Sequence, residues 1–213
     1  ELSVATHFAR RGWQVQWPET LGVEGETFDH LVGRQGVPSM EVECKSIGED
    51  KGRKIARREM LDFFRLLQPH LKPTTQGLSV GLSVAITIPG RLPGSHRDRE
   101  ALARSLGRAV LEGASCRLPD GTDVRIDEFD VNVLGPAPHE REPHDLRKAI
   151  DGVTATRNRE AVLIGTNRGG VLALALQSAR DDAILKAAFD TLSDAAARQL
   201  TGKRAGMLVA AFD

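Results

Sequence analysis

Ser39-Met40-Glu41-Val42-Glu43-Cys44-Lys45-Ser46-Ile47 is the stretch on which the fold turns. Apolar and polar residues alternate along it, as they do in a strand with two unlike faces. Successive strand side chains point to opposite sides, so Met40, Val42 and Cys44 share one face and Glu41, Glu43 and Lys45 the other. On the apolar face Cys44 suits a small buried thiol. The charged face has two readings. In one it is a solvated strand of an α/β interaction module, and its charges face water. In the other it carries chemistry.

Toward the N-terminus, Thr27–Val32 reads as a second strand, joined to the first stretch through turn residues Gly33, Gly36 and Pro38. Asp29 interrupts this otherwise apolar strand, and a carboxylate in such a place needs a partner. Antiparallel pairing brings Asp29 beside Glu43. Two carboxylates held that close repel each other, and a divalent cation removes the conflict. An oxygen-only ligand set suits Mg²⁺ or Mn²⁺ rather than zinc. His30 points to the opposite face from Asp29, a packing position. Further upstream, Trp13–Trp17 alternates as a strand stopped by Pro18, with both tryptophans on its core face. Leu2, Ala5, Phe8 and Ala9 give Glu1–Arg11 a helical apolar stripe, which Gly12 ends.

Downstream lies a basic run, Lys51, Arg53, Lys54, Arg57 and Arg58, next to the strand that holds Glu43. It leads into a helix through Ile55, Met60, Phe63, Phe64 and Leu67, with Pro69 as its expected stop. Leu78–Ile88 is apolar and rich in β-branched residues, which predicts a buried central strand. Ser95 with Asp98 forms a capping box for a helix that reaches Glu112 and stops at Gly113. Pro119-Asp120-Gly121 makes a hairpin of Cys116–Leu118 and Thr122–Leu134. The Gly135–Pro143 loop is the expected internal boundary. Ala161–Ile164 and Val171–Leu176 are strands joined through Asn167–Gly170. Ser178 with Asp181 is expected to cap a helix carried by Ile184, Ala188, Leu192, Ala195 and Leu200, before a last strand at Met207–Phe212.

Two other groups carry less. His139, Glu140, Glu142, His144 and Asp145 are metal-ligand types, but no helical spacing organises them, and a solvated linker accounts for them. Gly165, Gly169 and Gly170 lack the lysine and serine of a phosphate-binding loop and fit a hairpin turn.

The 213 residues carry 29 basic and 29 acidic side chains, so no global basic field announces nucleic acid, and any such surface is local. Two cysteines are too few for a disulfide framework and suit a reducing cytoplasm. No apolar run approaches the roughly 18 residues that span a membrane. The chain starts at Glu1 rather than a methionine, which leaves room for an upstream segment or domain.

The order helix, strand, strand with Asp29, strand with Glu43-x-Lys45, helix, strand resembles the core of the PD-(D/E)XK (restriction-endonuclease-like) nucleases. Phe28 stands where the motif's proline would be. The resemblance implies an αβββαβ core over residues 1–90, a central mixed sheet flanked by helices, with 91–213 as an α/β extension. It implies that Asp29 and Glu43 bind Mg²⁺ or Mn²⁺, helped by the backbone carbonyl of Cys44 and by Glu1 on the first helix. Lys45 would orient or deprotonate the attacking water, or neutralise charge on the phosphate. The basic run Lys51–Arg58 would contact phosphates. The implied activity is a Mg²⁺-dependent, cytoplasmic endodeoxyribonuclease with DNA as partner, and a homodimer is left open. The rival is a nuclease-like fold without chemistry that binds nucleic acid or protein; the intact Asp29, Glu43 and Lys45 set argues against it.

Overall fold

A computed structural model describes residues 1–22, 27–135, 143–156 and 160–212. In chain order the elements are α1 (Leu2–Arg10), β1 (Gln14–Gln16), β2 (His30–Arg34), β3 (Val37–Ile47), α2 (Arg57–Gly77), β4 (Gly81–Ile88), α3 (His96–Glu112) and β5 (Cys116–Arg117). They continue with β6 (Asp123–Phe129), α4 (Pro143–Thr154), β7 (Glu160–Gly165), β8 (Val171–Ser178), α5 (Ile184–Gln199) and β9 (Ala205–Phe212). The fold is α/β, with two mixed sheets divided between two compact units, 1–53 with 182–213, and 54–181.

The sheet of the first unit has the order β1-β2-β3-β9. β1, β2 and β3 form an antiparallel meander with His30 opposite Val42. β9 runs parallel to β3, from Met40 beside Ala205 to Ile47 beside Phe212. A parallel neighbour cannot follow a tight turn and requires a crossover. That crossover contains α5, and the whole second unit lies in the chain between β3 and α5. The chain leaves and rejoins the first unit at one point, where the Ala183 N–H donates to the Gly52 carbonyl at 2.8 Å. Gly52 has φ +79°, and a Cβ there would lie 2.6 Å from the Ala183 oxygen, so the crossing needs glycine.

The expected core over residues 1–90 is therefore corrected. Leu78–Ile88 does not join β3. As β4 it is the centre of the second unit's sheet, of order β5-β6-β4-β8-β7, antiparallel to β6 and parallel to β8. Its apolar character on both faces suits that central place. The strand beside β3 is β9. Neither boundary between the units falls near residue 90 or in the Gly135–Pro143 loop.

The second unit's core holds Phe63, Leu67, Leu71, Val84, Ile86, Leu106, Leu172 and Leu174. Pro69 does not end α2, which runs through it to Gly77, because apolar residues on both sides, Leu67 and Leu71, are buried in that core. Ser178 does not cap α5. Its hydroxyl donates to the Gly90 carbonyl at 2.7 Å, and α5 begins at Ile184 without a side-chain cap. Ser95 does cap α3, accepting from the Asp98 N–H at 3.1 Å, and both expected hairpins form. Residues 136–142, with His139, Glu140 and Glu142, lie outside the described residues. No helix among the described residues is long and apolar enough to cross a membrane.

Candidate active site

β3 lies between β2 and β9, so its charged face is not on an edge strand. Glu41 is 0% and Glu43 1% exposed. The solvated-strand reading fails on those two figures. A buried carboxylate is costly unless its oxygens are satisfied, so the partners of each decide its role. Glu41 is saturated. One oxygen accepts the Thr201 N–H at 2.8 Å; the other accepts the Thr201 hydroxyl and faces the Arg204 guanidinium at 3.4 Å. Glu41 thus fastens the turn between α5 and β9 to the centre of the sheet. Glu43 is not saturated. Its Oε1 meets Lys45 Nζ at 2.6 Å, and its buried Oε2 has no hydrogen-bond partner.

Asp29 sits one residue before β2. The His30–Val42 pairing, carried one step further, sets Asp29 across from Glu43. Asp29 Oδ2 accepts the Cys44 N–H at 2.7 Å, which ties the carboxylate to β3. Burial raises the pKa of Glu43 above the usual carboxylate value; the hydrogen bond from Lys45 opposes this, and the negative charge of Asp29 adds to it. The same environment, burial first and then the charge of Asp29, pushes the Cys44 thiol up to about 11. Both shifts come first from burial and then from neighbouring negative charge; Lys45 and the Asp29 backbone N–H oppose the shift of Glu43, and the N-terminal charge opposes that of Cys44. A bound cation would offset that negative charge.

The remaining expected residues divide. Glu1 does not complete a three-carboxylate group: among the described residues no cluster of three or more His, Cys, Asp or Glu side chains is formed. Its exposed side chain lies at the start of α1, while its carbonyl lies 3.3 Å from His30 Nε2. Cys44 contributes its N–H to Asp29 and is half-buried. His30 is fully buried, as expected of a packing residue, with its ring edge-to-face on Trp17 at 4.3 Å. The basic run is split: Lys51 and Arg53 belong to the first unit, Lys54, Arg57 and Arg58 to the second. Of the five, Lys51 lines a cavity together with Lys45.

That cavity is an open cleft of about 660 Å³ between Lys45, Lys51 and one face of α5. Ala187 and Ala195 leave the space, and Asp190, Asp194, Arg198 and Gln199 line its helical side. The i,i+4 spacing of Asp190, Asp194 and Arg198 marks one helix face in the sequence. Nothing in the sequence ties that face to Lys45, more than a hundred residues earlier. Comparison with family models, with curated proteins and with solved structures gave no match.

Proposed function

We propose that the chain is a divalent-metal-dependent nuclease that hydrolyses phosphodiester bonds of DNA, with Asp29 and Glu43 as metal ligands and Lys45 as the catalytic cation. The observation that carries this reading is the pairing state of Glu43. A buried carboxylate with one oxygen on Lys45 and the other unpartnered, next to a second carboxylate, is a vacancy in the hydrogen-bond accounting that a hard cation fills. Two carboxylates suffice for Mg²⁺, which keeps several waters and takes remaining ligands from substrate phosphate. The first unit also supports it, since it has the helix, three strands, helix and strand expected from the resemblance to PD-(D/E)XK nucleases. The pair that closes it is α5–β9.

When bound, the ion polarises the scissile phosphate and makes a nucleophile of water. The chain's own residues do the rest. The Cys44 N–H holds Asp29 in one orientation through Oδ2. Lys45 holds Glu43 by Oε1 and leaves Oε2 for the ion. With its side chain 27% exposed, Lys45 also reaches the cleft, where its ammonium neutralises charge on a phosphate oxygen. The test is cleavage of plasmid and single-stranded DNA in Mg²⁺ or Mn²⁺ by the wild type beside Asp29→Ala and Lys45→Ala. Loss of cleavage in both variants is expected. Cleavage that survives both, or a wild type that cuts neither substrate, refutes the reading; the second outcome favours the binding module without chemistry.

A further inference from the structure

The sheet of the first unit has two edges, and they differ. β1 is three residues long with a glutamine at each end, a short polar edge that discourages further pairing. β9 is eight residues long, and from Ala205 to Phe212 it has no charge and no proline. Its outer side has no strand partner among the described residues. A long apolar edge without such guards is a template for another strand. Beside it, α5 carries two apolar stripes. Ala188 and Ala195 are buried, and Ala187, Asp190, Asp194 and Arg198 face the cleft and Lys45. At about 100° per residue, Leu185, Phe189, Leu192 and Ala196 fall on the flank opposite the cleft. Because α5 packs over β3 and β9, a flank turned away from Lys45 of β3 looks past the β9 edge. These residues stand four, three and four positions apart, the spacing of a helix-packing seam. Yet Leu185 is 84% and Phe189 71% exposed. β9 adds Phe212, which is 65% exposed and, as the ladder partner of Ile47, lies on the α5 face of the sheet.

We propose that the β9 edge and this flank of α5 bind a second copy of the chain, by antiparallel β9–β9 pairing about a two-fold axis through Val209. Self-complementarity identifies the occupant. With Val209 opposite itself, Phe212 meets Gly206, Met207 meets Ala211 and Leu208 meets Ala210, so every large side chain is set against a small one. No pair opposes like charges. A Cβ at Gly206 would lie 2.6 Å from the Leu200 side chain, so across that glycine Phe212 meets Leu200 of the second copy. The helices fit as well. The axis lies half a strand spacing beyond β9, and α5, set over β3 and β9, lies one spacing from the axis. The two α5 helices are then about 9–10 Å apart, two strand spacings, which is the distance at which helices pack. Their seams face each other. Phenylalanines of roughly 200 Å², two from each copy and about two-thirds exposed, contribute on the order of 500 Å². Leu185, Leu192, Met207 and the β9 backbone bring the interface to about the 1,000 Å² that a specific contact needs. This inference is independent of the nuclease reading.

The experiment is sedimentation equilibrium of the full chain at micromolar concentrations, joined to a cysteine crosslink. Wild type is expected as a dimer. Leu185→Glu/Phe189→Glu should weaken it about thirtyfold or more, as the loss of an interface hot spot does. Both positions are exposed on a helix and glutamate is a good helix former, so the unit stays folded, which tryptophan emission reports. For the crosslink, Cys116→Ser first removes the exposed thiol. In that background Val209→Cys should oxidise to a covalent dimer, because directly opposed antiparallel residues have Cα atoms about 4.5–5.5 Å apart, within disulfide reach. Met207→Cys should not, since the two copies of position 207 stand four residues out of register, about 13 Å along the strands. A wild-type monomer overturns the proposal and leaves the face to a different partner. So does a dimer that persists in the folded glutamate variant, or one that links through position 207 as readily as through 209. Should the glutamate variant unfold, the contrast between positions 209 and 207 still decides.

Discussion

Replacing Glu43 with glutamine tests the site without removing its shape. Glutamine keeps an acceptor for Lys45 and puts a neutral amide in place of the unpartnered, charged Oε2. A buried charged oxygen left unsatisfied costs about 1–3 kcal/mol. The charge-assisted bond from Lys45 returns about 1.5–3 kcal/mol, of which a neutral acceptor retains about half. Without metal, Glu43→Gln should therefore be as stable as the wild type or up to about 2 kcal/mol more stable at pH 7. The pH dependence has a definite sign. Because the folded pKa of Glu43 is raised, its ionised form is the less favourable one in the fold. That cost is absent below the ordinary value of 4.5, sets in as pH rises through the folded value, and stays constant above it. The advantage of glutamine is thus present at pH 7 and gone in acid. Metal reverses the order. For a Kd of about 1 mM, Mg²⁺ at about 10 mM stabilises the wild type by about 1.4 kcal/mol, and the variant by nothing. In a unit this small that is a rise in Tm of about 6–11 °C. The assay is intrinsic fluorescence, because Trp13 and Trp17 are the chain's two tryptophans, there is no tyrosine, and both tryptophans lie in the first unit. A metal-free variant that melts well below the wild type would mean that the Glu43–Lys45 pair is structural. Equal Mg²⁺ shifts in both proteins would remove the ion from Glu43.

Other consequences can be measured on the same protein. Cys44, with its thiol pushed up to about 11, has about one thiolate in a thousand at pH 8. Iodoacetamide should then label the exposed Cys116 near neutrality and reach Cys44 only in strong alkali; two equally fast cysteines at pH 8 would contradict the burial of Cys44 and the negative charge of Asp29 beside it. Thr201→Val removes the hydroxyl that satisfies Glu41 and should cost the first unit about 1–3 kcal/mol in a urea melt, with the cleavage rate of the folded fraction unchanged. Replacing residues 54–181 with a short Gly-Ser linker should leave the first unit folded, because Gly52 and Ala183 already meet at 2.8 Å. Native tryptophan emission and an intact Mg²⁺ shift are the expected readouts, and a molten emission spectrum would count against an autonomous unit.

Local pattern revealed much of the architecture. Alternation along β3, the capping box at Ser95, the turn at Pro119-Asp120-Gly121 and the two-sided apolar run of β4 each depend on neighbours within a few residues, and each forms. What was not legible is which strand pairs with which. α2–β4 and α5–β9 are both a helix followed by an apolar strand, and periodicity ranks them equally. The choice is made by ladder partners far apart in the chain: β4 takes β6 and β8 on its two edges, and β3 is left for β9. For the same reason the α5 wall of the cleft was invisible, since it reaches Lys45 through the β3–β9 pairing and the Ala183–Gly52 bond, both between residues far apart in the chain.

The same limit applies within a single strand face. Glu41 and Glu43 are the same residue type, two positions apart, on one face of β3 and equally buried. Nothing local separates them. Glu41 receives its donors from Thr201 and Arg204, brought by the turn that delivers β9, and so its lone pairs are spent on holding the sheet. Glu43, one step nearer Asp29, meets Lys45 on one oxygen and nothing on the other. Asp29, tied to β3 by the Cys44 N–H, also makes Glu43 harder to ionise. On the proposed reading a cation is the third partner of the two carboxylates. The difference between a staple and a ligand is therefore a matter of which donors the tertiary pairing supplies, and glutamine at position 41 should destabilise the unit where glutamine at position 43 does not.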